Sequence, residues 1–155
     1  QAQGEARVGK AATRIVLADQ DKQIVDVATR RGKRVLLSFH PLAWTRVCAL
    51  QMQALEERAY EFEKLNAVAL GVSVDPTPSK KAWADSLGIR RTKLLSDFWP
   101  HGAVAQALGL FHDKEGFSDR AALLLDEKGI IRFAKVYAIP ELPEVEEQIR
   151  FLREM

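Results

Sequence analysis

Apolar residues along this chain alternate between short continuous runs and stretches where they recur every three or four positions. The runs read as strands and the recurring positions as helix faces. Val35-Leu36-Leu37-Ser38-Phe39 reads as a short buried strand. Beyond Pro41 the spacing changes: Cys48, Met52, Leu55, Ala59 and Phe62 fall on one face of a helix expected to end near Asn66. Before this unit, Ile15-Val16-Leu17 and Ile24-Val25-Asp26-Val27 flank a polar turn and read as a hairpin. After it, residues 68–74 form a second buried strand, broken by Asp75-Pro76-Thr77-Pro78. Thr77 is the expected cap of the next helix and Pro78 its first residue. That helix turns Ala82, Trp83 and Leu87 inward and stops at Gly88.

The remaining third continues the alternation. Leu94-Leu95-Ser96-Asp97 is a short strand, and Pro100 and Gly102 precede a short helix through Val104 and Leu108. Residues 121–125 and 130–133 form a hairpin around Asp126-Glu127-Lys128-Gly129. Pro143 opens a last amphipathic helix carrying Val145, Ile149 and Leu152. Strand-helix-strand units in the middle favour parallel pairing, and the late hairpin adds antiparallel strands. The expected fold is α/β, a mixed central sheet with helices on both faces and an N-terminal hairpin. Residues 1–12 read as an extended or mobile lead-in, and the basic run 30–34 as a solvated connection.

Composition narrows the function classes. The chain has 155 residues, 47% hydrophobic and 28% charged, which suits one domain spanning 1–155. A net charge of +2, without dense basic-aromatic interleaving, argues against nucleic acid as a partner. No apolar run approaches the ~20 residues of a membrane span. No signal peptide is visible, although a first residue of Gln1 points to trimming or a removed leader. The one cysteine excludes an internal disulfide, a Cys-x-x-Cys pair and a cysteine-rich zinc site. It suits a reducing, cytoplasmic setting. His101 and His112 lack metal-ligand spacing, so no metal is expected.

That cysteine, Cys48, is expected near the start of a helix that follows a strand. The first turn of a helix has unpaired N–H groups and a partial positive charge, which favour a thiolate over a thiol. The thiolate is the nucleophile. Thr45 can fold its hydroxyl back toward the sulfur, Arg46 adds a nearby cation, and His40 at the strand end can face the same pocket. A lone cysteine is more often a small buried apolar residue. The surrounding pattern outweighs that: Pro41, Thr45 and Cys48 form Pro-x-x-x-Thr-x-x-Cys directly after the buried strand.

This pattern resembles the peroxidatic-cysteine motif of the peroxiredoxins, the alkyl hydroperoxide reductase and thiol-specific antioxidant family. His40-Pro41 resembles the His-Pro version of one-cysteine members. The resemblance extends from about Val35 to Tyr137 through Gly71-Val72-Ser73-Val74-Asp75, Lys80-Lys81-Ala82-Trp83, Leu95-Ser96-Asp97, Gly109-Leu110 and the strand opened by Arg120. It implies a thioredoxin-like fold and a thiol-dependent peroxidase without metal or prosthetic group. In that reading Cys48 attacks the peroxide and becomes a sulfenic acid. Arg120 supplies positive charge and fixed donors. Thr45 bridges sulfur and substrate, and Pro41 shields the sulfur from water. Val47, through its backbone N–H, and His40 complete the substrate pocket. With no second cysteine, an external thiol or redox protein must restore the sulfur. The family also implies a homodimer, for which Trp44, Phe98 and Trp99 are candidate surface residues.

The sequence departs from the family at three places. Arg46 stands where a proline often follows the threonine, Gln51 stands near a common glutamate, and the lead-in near 9–12 lacks the usual proline and aromatic. Plainer roles exist for each site residue: Thr45 as helix N-cap, Arg120 as partner of a surface carboxylate, His40 as a packed histidine, and Trp44 and Trp83 as core or interface aromatics. Two other functions use the same cysteine. One is a thioredoxin-fold redox sensor or binding module without efficient turnover. The other is a cysteine hydrolase with His40 as base, for which no third member is evident.

Overall fold

The structure, a computed structural model, describes residues 6–30 and 32–155. Residues 1–5 of the lead-in and Arg31 of the basic run lie outside them. Three parallel strands make the centre: β3 (Arg34–Phe39), β4 (Ala67–Ser73) and β5 (Lys93–Ser96). The N-terminal hairpin of β1 (Val16–Ala18) and β2 (Ile24–Asp26) joins antiparallel at the β5 edge. The late hairpin of β8 (Arg120–Leu125) and β9 (Ile131–Tyr137) joins antiparallel beside β3. The seven-stranded order is β2-β1-β5-β4-β3-β8-β9. This is the mixed sheet expected from the sequence. A separate two-stranded ribbon, β6 (Phe111–His112) and β7 (Phe117–Ser118), was not expected, because two-residue strands carry no readable period.

Each face of the sheet buries its own core. Val35, Leu37 and Phe39 of β3 pack on one side with Leu70, Val72, Leu95, Ala105 and Leu108. The alternate residue Leu36 packs on the other with Cys48, Met52, Leu55, Phe62, Trp83, Ile149 and Leu152. That second layer is built by α1 (Arg46–Glu57), α2 (Ala59–Lys64), α3 (Thr77–Leu87) and α5 (Val145–Glu154), while the short α4 (Ala103–Ala107) packs Ala105 into the first. Gly71 of β4 lets α1 approach: a Cβ there would overlap Met52 Sδ and lie 3.0 Å from Leu94 Cδ2. Gly71→Ala is expected to lower stability by about 1–3 kcal/mol through forced repacking. An unchanged urea midpoint would contradict this.

Several boundaries differ from expectation for local reasons. The helix carrying Cys48 breaks at Arg58, whose N–H turns to Leu55 O at 3.2 Å, and restarts as α2. Ala59 is therefore only half-buried while Phe62 is fully covered. In α3 the N-cap sits one residue earlier than expected, with Pro76 as N-cap and Thr77 first in the helix, while the C-cap is Gly88 as expected. The inward face of α3 is Lys80, Trp83 and Ala84 rather than Ala82, which is exposed. The described part of the lead-in is pinned: Gly9 N–H donates to Ile131 O at 2.8 Å and Ala12 N–H to Gly129 O at 3.1 Å.

Candidate active site

The face holding α1 and α3 turns polar where the parallel strands end. On β3 the alternation that buries Leu36 next presents Ser38 and then His40 to that side. On β4 it presents Gly71 and Ser73. Arg120 opens β8 just beyond the Ala121–Phe39 pairing, which brings it to the same rim. Helix α1 begins there too, on the loop 41–45. Strand ends meeting a helix start are where open α/β sheets place ligands.

Cys48 is fully buried, in the first turn of α1. The first backbone bond onto the helix is Ala49 N–H to Thr45 O, 3.0 Å, so the N–H groups of Arg46, Val47 and Cys48 lie ahead of the ladder. Arg120, also buried, donates from Nη1 to Cys48 Sγ at 3.2 Å. The same nitrogen donates to Gln51 Oε1 at 2.8 Å, and Nε donates to Ile139 O at 2.8 Å. The guanidinium is thus held at both ends and aimed at the sulfur. Gln51 is locked in turn, its Nε2 donating to Ser38 Oγ at 2.7 Å and Phe39 O at 3.1 Å.

The other expected residues take varied positions. Pro41 is buried and Val47 half-buried, both within the segment that leads into Cys48. Thr45 is exposed, and its hydroxyl donates to Leu42 O at 2.7 Å rather than toward the sulfur or the helix N–H groups. Trp44 adopts φ 69 and donates its indole N–H to Ser79 Oγ at 2.9 Å, tying the loop to α3. A bulky residue in the left-handed region marks a loop held by its surroundings. His112, on β6, pairs with Asp119, and His101, ahead of α4, bonds Gly116 O in the β6–β7 turn at 2.7 Å. Among the described residues no His, Cys, Asp and Glu cluster could hold a metal ion. Two open clefts, of about 380 and 450 Å³, lie elsewhere and neither is lined by Cys48.

His40 is fully buried, its Nδ1 facing Ser38 O at 3.4 Å and its Nε2 facing Lys80 Nζ at 3.5 Å. Burial, and then the Lys80 charge, hold its pKa well below 6.5, so the imidazole is neutral. Below about 6.5 the unfolded histidine takes up a proton that the folded one refuses, so stability falls as pH drops. The slope approaches ~1.4 kcal/mol per pH unit. Urea midpoints between neutral pH and about 5 are expected to fall less in His40→Gln than in the wild type. Equal slopes would contradict the assignment.

Sequence reasoning missed Ser38, Asp75 and Lys80. Asp75 Oδ2 accepts from Ala43 N–H at 2.8 Å and from Ser73 Oγ at 2.6 Å, so it holds the loop before Cys48. Lys80 sits on the buried face of α3, and the helical period could have found it: 80, 83, 84 and 87 are the i, i+3, i+4, i+7 set.

Comparison with known proteins identifies the family. Residues 8–134 match the AhpC/TSA family model. The chain is 45% identical over 130 residues to "Alkyl hydroperoxide reductase E" of Mycobacterium bovis, covering 83% of this chain and 84% of that protein. It is 31% identical over 160 residues to "Peroxiredoxin-1" of Gallus gallus, covering 97% and 79%. The reduced 2-Cys peroxiredoxin of Plasmodium vivax superposes with a TM-score of 0.87 at 29% identity, over 94% of this chain and 80% of that one. The chain belongs to the AhpC/TSA family, the thioredoxin-fold thiol peroxidases known as peroxiredoxins, and carries a single cysteine.

Proposed function

We propose that Cys48 is the peroxidatic sulfur of this thiol-dependent peroxidase, acting on hydrogen peroxide or organic hydroperoxides. The observation that carries the assignment is the Arg120 Nη1 donor 3.2 Å from Cys48 Sγ. A sulfur lone pair forms the S–O bond while the O–O bond breaks and its electron pair leaves on the distal oxygen. That oxygen takes a proton and departs as water or alcohol, leaving the sulfur as sulfenic acid. Negative charge passes from sulfur to the leaving oxygen, and a guanidinium fixed beside the sulfur can serve both ends of that path. The N–H groups of Val47 and Cys48 add donors from the helix start. Pro41, buried and without an N–H, closes one side. Thr45 would reach substrate by releasing the Leu42 carbonyl.

The 155 residues hold no second cysteine. The sulfenic acid is therefore resolved by an external thiol or the thiol of a redox protein. That thiol displaces water to form a mixed disulfide, and a second thiol frees Cys48. Phe98, Trp99 and Trp44 are exposed, Trp99 by 82%, and we assign them to the contact of a homodimer.

Steady-state peroxide consumption with a small dithiol tests the assignment. Turnover is expected in the wild type and none in Cys48→Ser. Turnover persisting in Cys48→Ser would overturn it.

A further inference from the structure

Lys80 has no part in the chemistry described so far, yet it is among the most deeply buried side chains in the protein. A buried ammonium is costly unless partners compensate for lost water. Here those partners all belong to the frame of the sulfur. Nζ donates to Ser73 Oγ, which donates to Asp75 Oδ2, which holds Ala43 N–H of the loop before α1. On its other side Nζ meets His40 Nε2 at 3.5 Å. With Nδ1–H directed to Ser38 O, Nε2 is left as the acceptor. Ser38 Oγ accepts from Gln51, whose Oε1 accepts from Arg120 at the sulfur. Trp83 floors both groups, its ring 5.5 Å from His40 and 5.9 Å from Nζ.

We propose that Lys80 is a positioning residue for Cys48: its buried amine ties the loop in front of the sulfur to the end of β3, where Ser38 and Phe39 anchor Gln51 and, through it, Arg120. The two arms reach Cys48 from opposite ends of one hydrogen-bonded network, so loss of the amine loosens both. Charge adds to position. The groups facing Nζ are His40 at the end of β3, Asp75 after β4 and Cys48 on α1, with Arg120 acting on His40 from β8. Burial lowers the Lys80 pKa to about 8, against support from Asp75 and Cys48. The Asp75 carboxylate and a negative sulfur both favour the ammonium. This inference rests on the peroxidase reading.

The test compares single-turnover oxidation of the reduced protein by hydrogen peroxide in the wild type, Lys80→Met and Ser73→Ala. Lys80→Met is expected to slow sulfenic acid formation about 10- to 100-fold, the scale of a misplaced reacting group. The wild-type rate is expected to fall as pH rises through the Lys80 titration near 8, and Lys80→Met is expected to lose that limb. A role in stability alone would move the unfolding midpoint and leave the pH profile intact. Ser73→Ala, which cuts only the loop arm, is expected to slow the reaction while keeping the limb. If Lys80→Met does not fold, Ser73→Ala carries the test, and a wild-type rate in it overturns the proposal. Folded Lys80→Met reacting at the wild-type rate, or with the same alkaline limb, also overturns it. A wild type that does not react with peroxide would instead sink the peroxidase reading.

Discussion

Replacing Arg120 by methionine is expected to slow oxidation of Cys48 by about 10²–10³-fold, the usual loss when one fixed donor to a developing anion is removed. The size follows from what the side chain does. Two of its nitrogens bind three partners, and one of them, the sulfur, is the proposed reacting atom. Methionine leaves Gln51 Oε1 and Ile139 O buried without their donor, so the variant also loses stability. The two losses separate when rates are measured well below the unfolding midpoint. Arg120→Lys is the informative companion. It keeps the charge but replaces a planar fork by a single ammonium, so it is expected to recover only part of the rate. Full recovery would show that charge alone matters and that the fork does not.

The largest effect on stability is expected from Trp83→Ala, at about 3–5 kcal/mol. Trp83 is the largest fully buried side chain and stands on α3 against the second core layer. Its removal leaves a cavity beside two polar groups, His40 and Lys80, that depend on the ring for cover. Water entering that space would ease the burial that keeps His40 neutral and lowers the Lys80 pKa. Trp83→Phe, which retains an aromatic floor, is expected to cost less. Urea unfolding with an unchanged slope measures both. A loss below about 1 kcal/mol for Trp83→Ala would mean that the site is not built on this residue.

Much of the fold was legible because its strands and longer helices carry clean periods. The strand at Val35, the change of spacing after Pro41 and the turn at Gly129 each have a local cause that survives without tertiary context. The Arg58 break, the two-residue strands of the β6–β7 ribbon and the one-residue shift of the α3 N-cap are too short to leave a period in the sequence. The site divided the same way. Cys48, Pro41, Thr45 and Arg120 announce themselves by motif, but the direction of the Thr45 hydroxyl depends on how the loop closes on Leu42. Gln51 was visible only as a departure from the family, yet it is the residue that aims Arg120. Lys80 lay in a Lys-Lys pair that reads as solvent-facing, and only the helical period distinguishes it from exposed Lys81.

The most direct measurement is the mass and rate of a single turnover: reduced protein mixed with one equivalent of hydrogen peroxide, quenched in time and mapped by peptide. One added oxygen on the peptide bearing Cys48 is predicted, forming faster than on a free small thiol and removed by added thiol. Oxidation no faster than that of the free thiol, or oxygen found only on Met52 or Met155, would contradict it.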